Sequence, residues 1–440
     1  MITEELNEAT RAFVAANRER DVRELALHAK PGEGVDLTAA LEQIAGWRTA
    51  RTKLPEWAAC GDVWYPPHLS MEQCSSEATA RYKAALARRV VAGSSDATAA
   101  GSVDASGSSG PAGSAVPLDA AMVDLTGGFG VDCSYMAREF AHAVYVERQE
   151  RLCALASHNM RALGLDHVRV VHGDAQDAAR GMDPVSLIFL DPARRDARGA
   201  RTYAIADCTP DVLGMLDVLL AKAPHLMVKL SPMLDWHKTV ADFRGHVAEV
   251  HVVSTGNECK ELLLVVCRDV TDDPLVVCVN DASRLEFRVS QLHGDDPAAE
   301  TPAAPANGVP EDDAPACEPE RARHLYEPNA SVMKAGCFTL LERRFGVREV
   351  GPNSHLFVSG RPVEGFPGRE FDVEAVGTLN KRDARRLTEG LTHANVATRN
   401  FPMAPEALRR KLKLKDGGDV YLFAATAADG RRLVFRTRKP

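Results

Sequence analysis

The sequence predicts an α/β protein: a doubly wound sheet closed by an antiparallel hairpin, with a helical region before it and small α+β domains after it. Three observations carry this prediction. An apolar strand, Ala121–Leu125, runs into the glycine-rich turn Thr126-Gly127-Gly128-Phe129-Gly130 and then into a helix. Strands and helices alternate from Leu118 to about Asp269, the signature of parallel strands with helical crossovers. Two long strand-like segments, His246–Thr255 and Glu261–Arg268, then meet at Gly256-Asn257 with no helix between them, as in a hairpin edge.

Size and composition set the frame. The chain has 440 residues, 45% hydrophobic and 26% charged, enough for two to four domains with cores of their own. Met1-Ile2-Thr3-Glu4-Glu5 lacks the basic-then-apolar pattern of a secretory signal, and no apolar run reaches bilayer length, so no membrane partner is expected. The 10 cysteines contain no Cys-x-x-Cys pair. That spacing argues against a metal site and for reduced thiols in a cytoplasmic protein. The net charge of −8 conceals an asymmetry: Arg321–Pro440 carries 23 Lys+Arg against 13 Asp+Glu, and the remainder is acidic. A basic C-terminal third fits a nucleic-acid-facing surface and equally fits a solvated face.

Taken in order, residues 1–91 read as a helical region. Within it Ser70–Lys83 reads as one helix, with Ser70 as N-cap, Gln73 at the third position, and Ser75, Ser76 and Thr79 on a solvated or ligand-facing side. Residues 92–117 are Gly, Ser, Ala and Asp, a flexible linker. Residues 118–270 form the α/β domain. Its strands are Ala121–Leu125, Ala143–Val146, Val168–Val171, Val185–Leu190 and Leu226–Leu230, followed by the hairpin. Residues 271–365 read as a small α+β segment interrupted by a Pro-, Ala- and acid-rich insertion at 293–320, expected to be disordered, and 366–440 as a second small α+β domain.

In a doubly wound sheet, ligands bind beyond the carboxyl ends of the strands. Four successive ends carry an acid here. Asp124 precedes the glycine turn and can orient it or accept from an amino group; Thr126, Gly128 and Gly130 form the turn itself. Glu147 closes the second strand, where a carboxylate can accept both hydroxyls of a ribose, and Asp174 closes the third, where one can accept from an adenine amino group. Asp191, followed by Pro192, closes the fourth and points to the reaction centre. Lys229, at the end of the fifth strand, reads as a surface lysine or a phosphate contact. The glycine spacing, Gly-Gly-x-Gly, differs from the Gly-x-Gly-x-x-Gly of a nicotinamide dinucleotide site. His142, His158, His167 and His172 flank strands and helices and read as structural.

Asp124-Leu125-Thr126-Gly127-Gly128-Phe129-Gly130, Glu147, Asp174 and Asp191-Pro192 resemble the motifs of class I S-adenosylmethionine-dependent methyltransferases, whose sheet also ends in an antiparallel hairpin. The resemblance implies that Asp124, Thr126, Gly128, Gly130, Glu147 and Asp174 hold S-adenosyl-L-methionine. Glu72–Ala80, Asp191–Arg195, Tyr326–Ala330, Arg399–Pro402 and Leu412–Gly418 are further similar to a bacterial group of methyltransferases. In that group a helical region precedes the catalytic domain, and a ferredoxin-like segment and a THUMP-like domain follow it. THUMP domains are associated with RNA in tRNA-modifying enzymes, so the resemblance implies an RNA partner.

The reaction centre narrows the chemistry. Exocyclic base nitrogens are commonly methylated at Asp/Asn-Pro-Pro followed by an aromatic; here Ala193 and Arg194 occupy the last two places. Asp191, Pro192 and Arg194 are the catalytic candidates, with Arg194 able to stack on a base or pair with phosphate. Arg195 and Lys229 are the substrate-binding candidates, while Arg198 and Arg201 read as a solvated loop. Pyrimidine C5 chemistry needs a thiolate, and Lys229–Met233 contains none. The reading is transfer to a base nitrogen of structured RNA, tRNA or rRNA. A small-molecule methyltransferase and a non-catalytic RNA-binding protein of the same fold are the rivals.

Overall fold

The structure is a computed structural model and describes residues 6–30, 32–93, 116–194, 205–293 and 317–440. The linker expected at 92–117 and the insertion expected at 293–320 fall outside these residues except at their edges, and Arg195, Arg198 and Arg201 fall outside entirely. One edge corrects the sequence reading: Pro319–Arg321 form a 3-10 turn, and Cys317 packs against a buried cluster rather than belonging to a disordered run. The chain divides into two compact units, one of residues up to 255 with 260–274, the other of 256–259 with 275–440.

The first unit opens with six helices: α1 (Glu8–Asn17), α2 (Val22–His28), α3 (Leu37–Lys53), α4 (Pro55–Ala59), α5 (His68–Gln73) and α6 (Glu77–Val91). Asn7, Asp21, Asp36 and Ser76 cap four of them by accepting from backbone N–H groups of the first turn. The single helix expected over Ser70–Lys83 is two. Ser76 wins the capping position by accepting from Thr79 N, and Cys74 is extended, which breaks the helix between them. Ser75 and Thr79 are buried, not solvated.

The sheet of this unit begins with β1 (Ala121–Asp124), β2 (His142–Glu147), β3 (Val168–His172) and β4 (Leu187–Leu190). A two-stranded ribbon, β5 (Ala193–Arg194) with β6 (Cys208–Thr209), follows β4; then come β7 (His225–Leu230), β8 (Val247–Thr255) and β9 (Glu258–Cys267). The order is β3-β2-β1-β4-β7-β9-β8. The first five are parallel and β9 is antiparallel to β7. Strands covered on both faces must be apolar throughout, and Leu187–Leu190 and Leu262–Val266 are buried residue by residue. The crossover helices are α7 (Val131–Met136), α8 (Glu150–Ala162), α9 (Ala175–Gly181) and α10 (Val212–Lys222), with α11 (Trp236–Asp242) after β7.

The helical region is bound into this domain rather than set apart from it. Gln43 of α3 bonds both backbone groups of Tyr65, at 2.9 and 2.8 Å, while Asn159 of α8 bonds both of Trp64, at 2.8 and 2.9 Å. Two amides thus grip one extended segment from opposite sides. The Trp57 ring of α4 meets Phe129 of the glycine turn edge-on, 4.9 Å between centroids.

The second unit holds a hairpin, β10 (Leu275–Asn280) with β11 (Ser283–Arg288), the short helix α12 (Ser290–His293), and a seven-stranded sheet. That sheet comprises β12 (His324–Pro328), β13 (Arg348–Glu349), β14 (Phe357–Ser359), β15 (Gly368–Gly377), β16 (Asn395–Arg399), β17 (Val420–Thr426) and β18 (Arg432–Arg438). Helices α13 (Ala330–Ala335) and α14 (Phe338–Phe345) follow β12; α15 (Lys381–Leu387) and α16 (Pro405–Lys411) flank β16. The period of 2 is plain in β17. Phe423 and Ala425 join one buried cluster, while Leu422 and Ala424 join the other, with Leu387 of α15 and Leu408 of α16. Both helices therefore cover one face of this sheet.

Candidate active site

The carboxyl ends of β1, β2, β3, β4 and β7 open on a cavity of about 260 Å³. Asp124, Thr126, Gly128, Gly130, Glu147, Asp174, Asp191 and Lys229 all line it. The sequence-predicted site residues thus converge, apart from the Arg194 side chain and Arg195, which the described residues do not reach. Pro192 is buried just beyond Asp191, and the Arg194 backbone pairs with Cys208 in the ribbon at the same end of the sheet.

The glycine turn is built by its neighbours. Gly128 and Gly130 sit at φ 54° and 91°, where a Cβ is strained. A Cβ at Gly127 would lie 2.1 Å from the Tyr145 ring, whose hydroxyl donates to Gly128 O at 2.5 Å. Glu147 closes the turn from the next strand: one carboxylate oxygen accepts from Gly128 N at 3.0 Å and the other from Gln149 N at 2.8 Å. Each oxygen keeps a lone pair for a ligand hydroxyl. Asp174 caps α9 by accepting from Gln176 N at 2.7 Å and is exposed toward the cavity mouth.

Asp124 is 1% exposed and accepts from Thr126 N at 2.9 Å. Burial pushes its carboxyl up to about 8; the bond from Thr126 opposes this, and the charges of Asp132, Asp191 and Glu147 reinforce it. Asp124 is therefore largely neutral at pH 7, an acid that shapes the turn without adding charge. Thr126 carries the link onward, its Oγ1 accepting from Asp191 N at 2.6 Å. The ends of β1 and β4 are thereby locked together, and with them the two halves of the site.

Lys229 is not a surface lysine, which corrects one of its two sequence readings. Its side chain is 12% exposed and its Nζ lies 2.6 Å from Asp191 Oδ2 and 3.6 Å from Asp132 Oδ2. Burial opposes the ammonium, yet the carboxylates of Asp191, Asp132 and Glu261 outweigh it and hold Lys229 above the usual lysine range. Sequence reasoning passed over Asp132, Lys83 and Glu261, which sit together beneath the cavity. Lys83 Nζ is 2.6 Å from Glu261 and 3.2 Å from Asp132, and Ser75 donates to Asp132 at 2.8 Å. A signal was present in α6. Thr79, Ala80, Lys83, Leu86, Ala87 and Val90 are all buried at helical spacing, so a lysine stands inside an apolar stripe. The helical region also gives the cavity a wall, Ser70, Gln73, Cys74 and Ser75.

Among the described residues no helix is long and apolar enough to cross a membrane. Among the same residues no group of three or more His, Cys, Asp or Glu side chains is arranged to hold a metal ion.

Two protein families match the second unit: a ferredoxin-like domain over residues 324–367 and a THUMP-like domain over 368–439. No curated protein matches the chain in sequence. Among solved structures, a candidate methyltransferase of Porphyromonas gingivalis W83 superposes with a TM-score of 0.76 at 27% identity, covering 98% of this chain and 97% of that one. A candidate class I S-adenosylmethionine-dependent methyltransferase of Listeria monocytogenes overlaps 38% of this chain and 59% of its own, at 13% identity and a TM-score of 0.29. An rRNA methylase of Streptococcus thermophilus overlaps 34% of this chain and 89% of its own, at 14% identity and a TM-score of 0.27. The Porphyromonas protein is similar along nearly its whole length, and the strand order with its antiparallel β9 is that of the class I fold. The chain has the class I methyltransferase fold with a C-terminal THUMP-like domain, and is similar over nearly its whole length to the Porphyromonas protein.

Proposed function

We propose that the protein transfers a methyl group from S-adenosyl-L-methionine to a base nitrogen of a structured RNA, tRNA or rRNA. The observation that carries the reading is the convergence of Glu147, Asp174 and the Asp124–Gly130 turn with Asp191 in one cavity. These residues fit the cofactor: two glycines at positive φ clear space for a ligand, and Glu147 and Asp174 offer acceptors for ribose and adenine. When bound, the cofactor supplies an electrophilic methyl on its sulfonium. Asp191 then receives an N–H of the acceptor and aligns the nitrogen lone pair with that methyl. The Asp191 carboxylate would take the proton shed by the methylated nitrogen, or pass it to solvent. Arg194 and Arg195 grip base or phosphate at the mouth.

The RNA part of the reading rests on the THUMP-like match and on the charge of the chain's last 120 residues, 23 Lys+Arg against 13 Asp+Glu. On α15 and α16 and the turn beyond, Lys381, Arg382, Arg385, Arg410, Lys411, Lys413 and Lys415 are exposed. Phosphate contacts of this kind make affinity fall steeply with salt. The test is transfer of labelled methyl from S-adenosylmethionine to total RNA of a strain lacking the gene, with the label mapped to a nucleotide. Label on a base nitrogen supports the reading. Label only on small molecules moves the substrate out of RNA, and no binding of S-adenosylhomocysteine by calorimetry removes the cofactor.

A further inference from the structure

From the cavity lining inward five charges alternate in sign: Asp191, Lys229, Asp132, Lys83, Glu261. Lys229 Nζ bridges Asp191 Oδ2 at 2.6 Å and Asp132 Oδ2 at 3.6 Å. Asp132 Oδ1 meets Lys83 Nζ at 3.2 Å, and its Oδ2 accepts from Ser75 at 2.8 Å. Glu261 takes Lys83 with both oxygens, at 2.6 and 2.7 Å. Side-chain exposure falls along the series from 38% at Asp191 to 12% at Lys229, 10% at Asp132 and 0% at Lys83. The row is wet at the reaction centre and dry at its root.

We propose that Lys229 is the positioning residue of the acceptor centre. It fixes the Asp191 carboxylate through one oxygen, leaves the other for the acceptor N–H, and is itself held in place by the N-terminal helical region through Lys83 and Ser75. The inference rests on the reading that Asp191 orients the acceptor.

The geometry separates this role from a phosphate contact. An ammonium has three donors, and this one is enclosed by carboxylates from three elements: Asp191 at the end of β4, Asp132 of α7 and Glu261 of β9. Cys74, between α5 and α6, and Lys83 of α6, on the far side of Asp132, are further titratable groups that face this cluster. A phosphate would have to displace a paired carboxylate in a low-dielectric setting, leaving that charge buried and alone. Lys83 decides which carboxylate Lys229 serves. With Lys83 in place, Asp132 and Glu261 are paired from the far side, so Lys229 leans on Asp191, 1 Å closer than on Asp132. Without Lys83, two buried carboxylates would face Lys229 alone and draw it inward, away from Asp191. The catalytic domain's own reaction centre is thus completed by a side chain of α6.

The test uses the full chain, with labelled methyl transfer to total RNA from a strain lacking the gene. Lys229→Met is expected to lower kcat about 100-fold, the cost of a misplaced reacting group, with apparent KM for RNA and affinity for S-adenosylhomocysteine held within about threefold. Lys229→Arg, which keeps the charge, is expected to restore part of kcat. Lys83→Met/Glu261→Gln, which removes one cation and one carboxylate and so limits unfolding, is expected to lower kcat in the same way. A rise in KM with kcat unchanged in Lys229→Met would mean a substrate contact and overturn the proposal; so would wild-type kcat in either variant. If the wild type methylates no RNA, the function reading fails, and positioning is read instead from crystal structures with S-adenosylhomocysteine. Asp191 displaced in Lys229→Met supports the proposal; Asp191 unmoved overturns it.

Discussion

Both compact units carry exposed charged pairs, Arg180 with Asp177 in the first for example, but they differ in what they bury. In the first, Lys83 and Glu261 are 0% and 3% exposed at the side chain, and Arg89, 3% exposed, pairs with Glu249, which also accepts from His251 Nε2 at 2.8 Å. These contacts tie α6 to the sheet and to the cavity floor. In the second unit Arg348 pairs with Glu318, Arg431 with Glu320 and Asp429, and Arg436 and Arg438 with Glu374, all at least partly exposed. Glu327 is buried, held between Arg369 and Arg399, and it joins two of the motifs read from sequence. Buried pairs are weakly screened and geometrically strict, so they fix a reaction centre; exposed pairs are screened and exchangeable, which suits a surface that meets a polyanion. Under the proposed function, the difference fits chemistry in the first unit and RNA contact in the second.

The largest effect expected from this contrast is at Lys83. Lys83→Met leaves Glu261 without its buried ion pair and Asp132 with Lys229 as its one cation, and is expected to cost about 3–5 kcal/mol of unfolding free energy, read from urea denaturation; adding Glu261→Gln recovers part of it. A loss below about 1 kcal/mol, the range of surface pairs, would erase the distinction between the units. Next comes Asp191→Asn, expected to lower methyl transfer about 100-fold or more while S-adenosylhomocysteine affinity holds, since the change falls on the acceptor side. An equal loss of cofactor affinity would move Asp191 to the cofactor side of the cavity.

Much of the site was legible because its parts are local in sequence. The glycine turn, its capping strand and the acids at successive strand ends each lie within a few residues of an apolar run, and the fold itself brings those ends together. The hairpin of β8 and β9 was legible for the same reason, two apolar runs around Gly256-Asn257. The charge row was not, because its contacts are long-range: Ser75 to Asp132 spans 57 positions and Lys83 to Glu261 spans 178. Sequence took Ser70 for the cap, whereas Ser76, which has the same side chain, holds that role. Tertiary packing decided, by placing Cys74 and Ser75 in the cavity wall. Glu147 was assigned to a ribose from its strand-end position, and its second task, bracing Gly128 N, needed coordinates to see.

That double task sets the next effect. Glu147→Ala is expected to weaken S-adenosylhomocysteine binding about 10- to 100-fold by calorimetry, the loss of a charged acceptor and of the brace together. Unchanged affinity would remove Glu147 from the cofactor site. Asp124 adds a pH signature. Its folded value of about 8 lies above the ordinary 3.8, so its contribution to stability is complete below 3.8 and is lost as pH rises through 8. Asp124→Asn, which cannot ionise, is expected to flatten the urea midpoint between pH 5 and pH 8 where the wild type declines. Parallel declines in both proteins would place the wild-type slope on other groups.

The smallest effect tests the other half of the contrast. Glu374 accepts from Arg436 at 2.6 Å and Arg438 at 2.5 Å, and these two guanidiniums, with the bonds they donate, hold its carboxyl below its usual value against the opposing effect of burial. Its side chain is 33% exposed. Glu374→Ala is expected to cost under about 1 kcal/mol, less still at high salt, because solvent already screens the pair. It also frees two arginines. If this strand faces the RNA, filter binding between 50 and 200 mM salt should show tighter binding at low salt and a slope steeper by about one phosphate contact. Unchanged binding with unchanged slope would place the RNA path elsewhere on the second unit, with the exposed cations of α15 and α16, which cover one face of the sheet, as the next surface to reverse in charge.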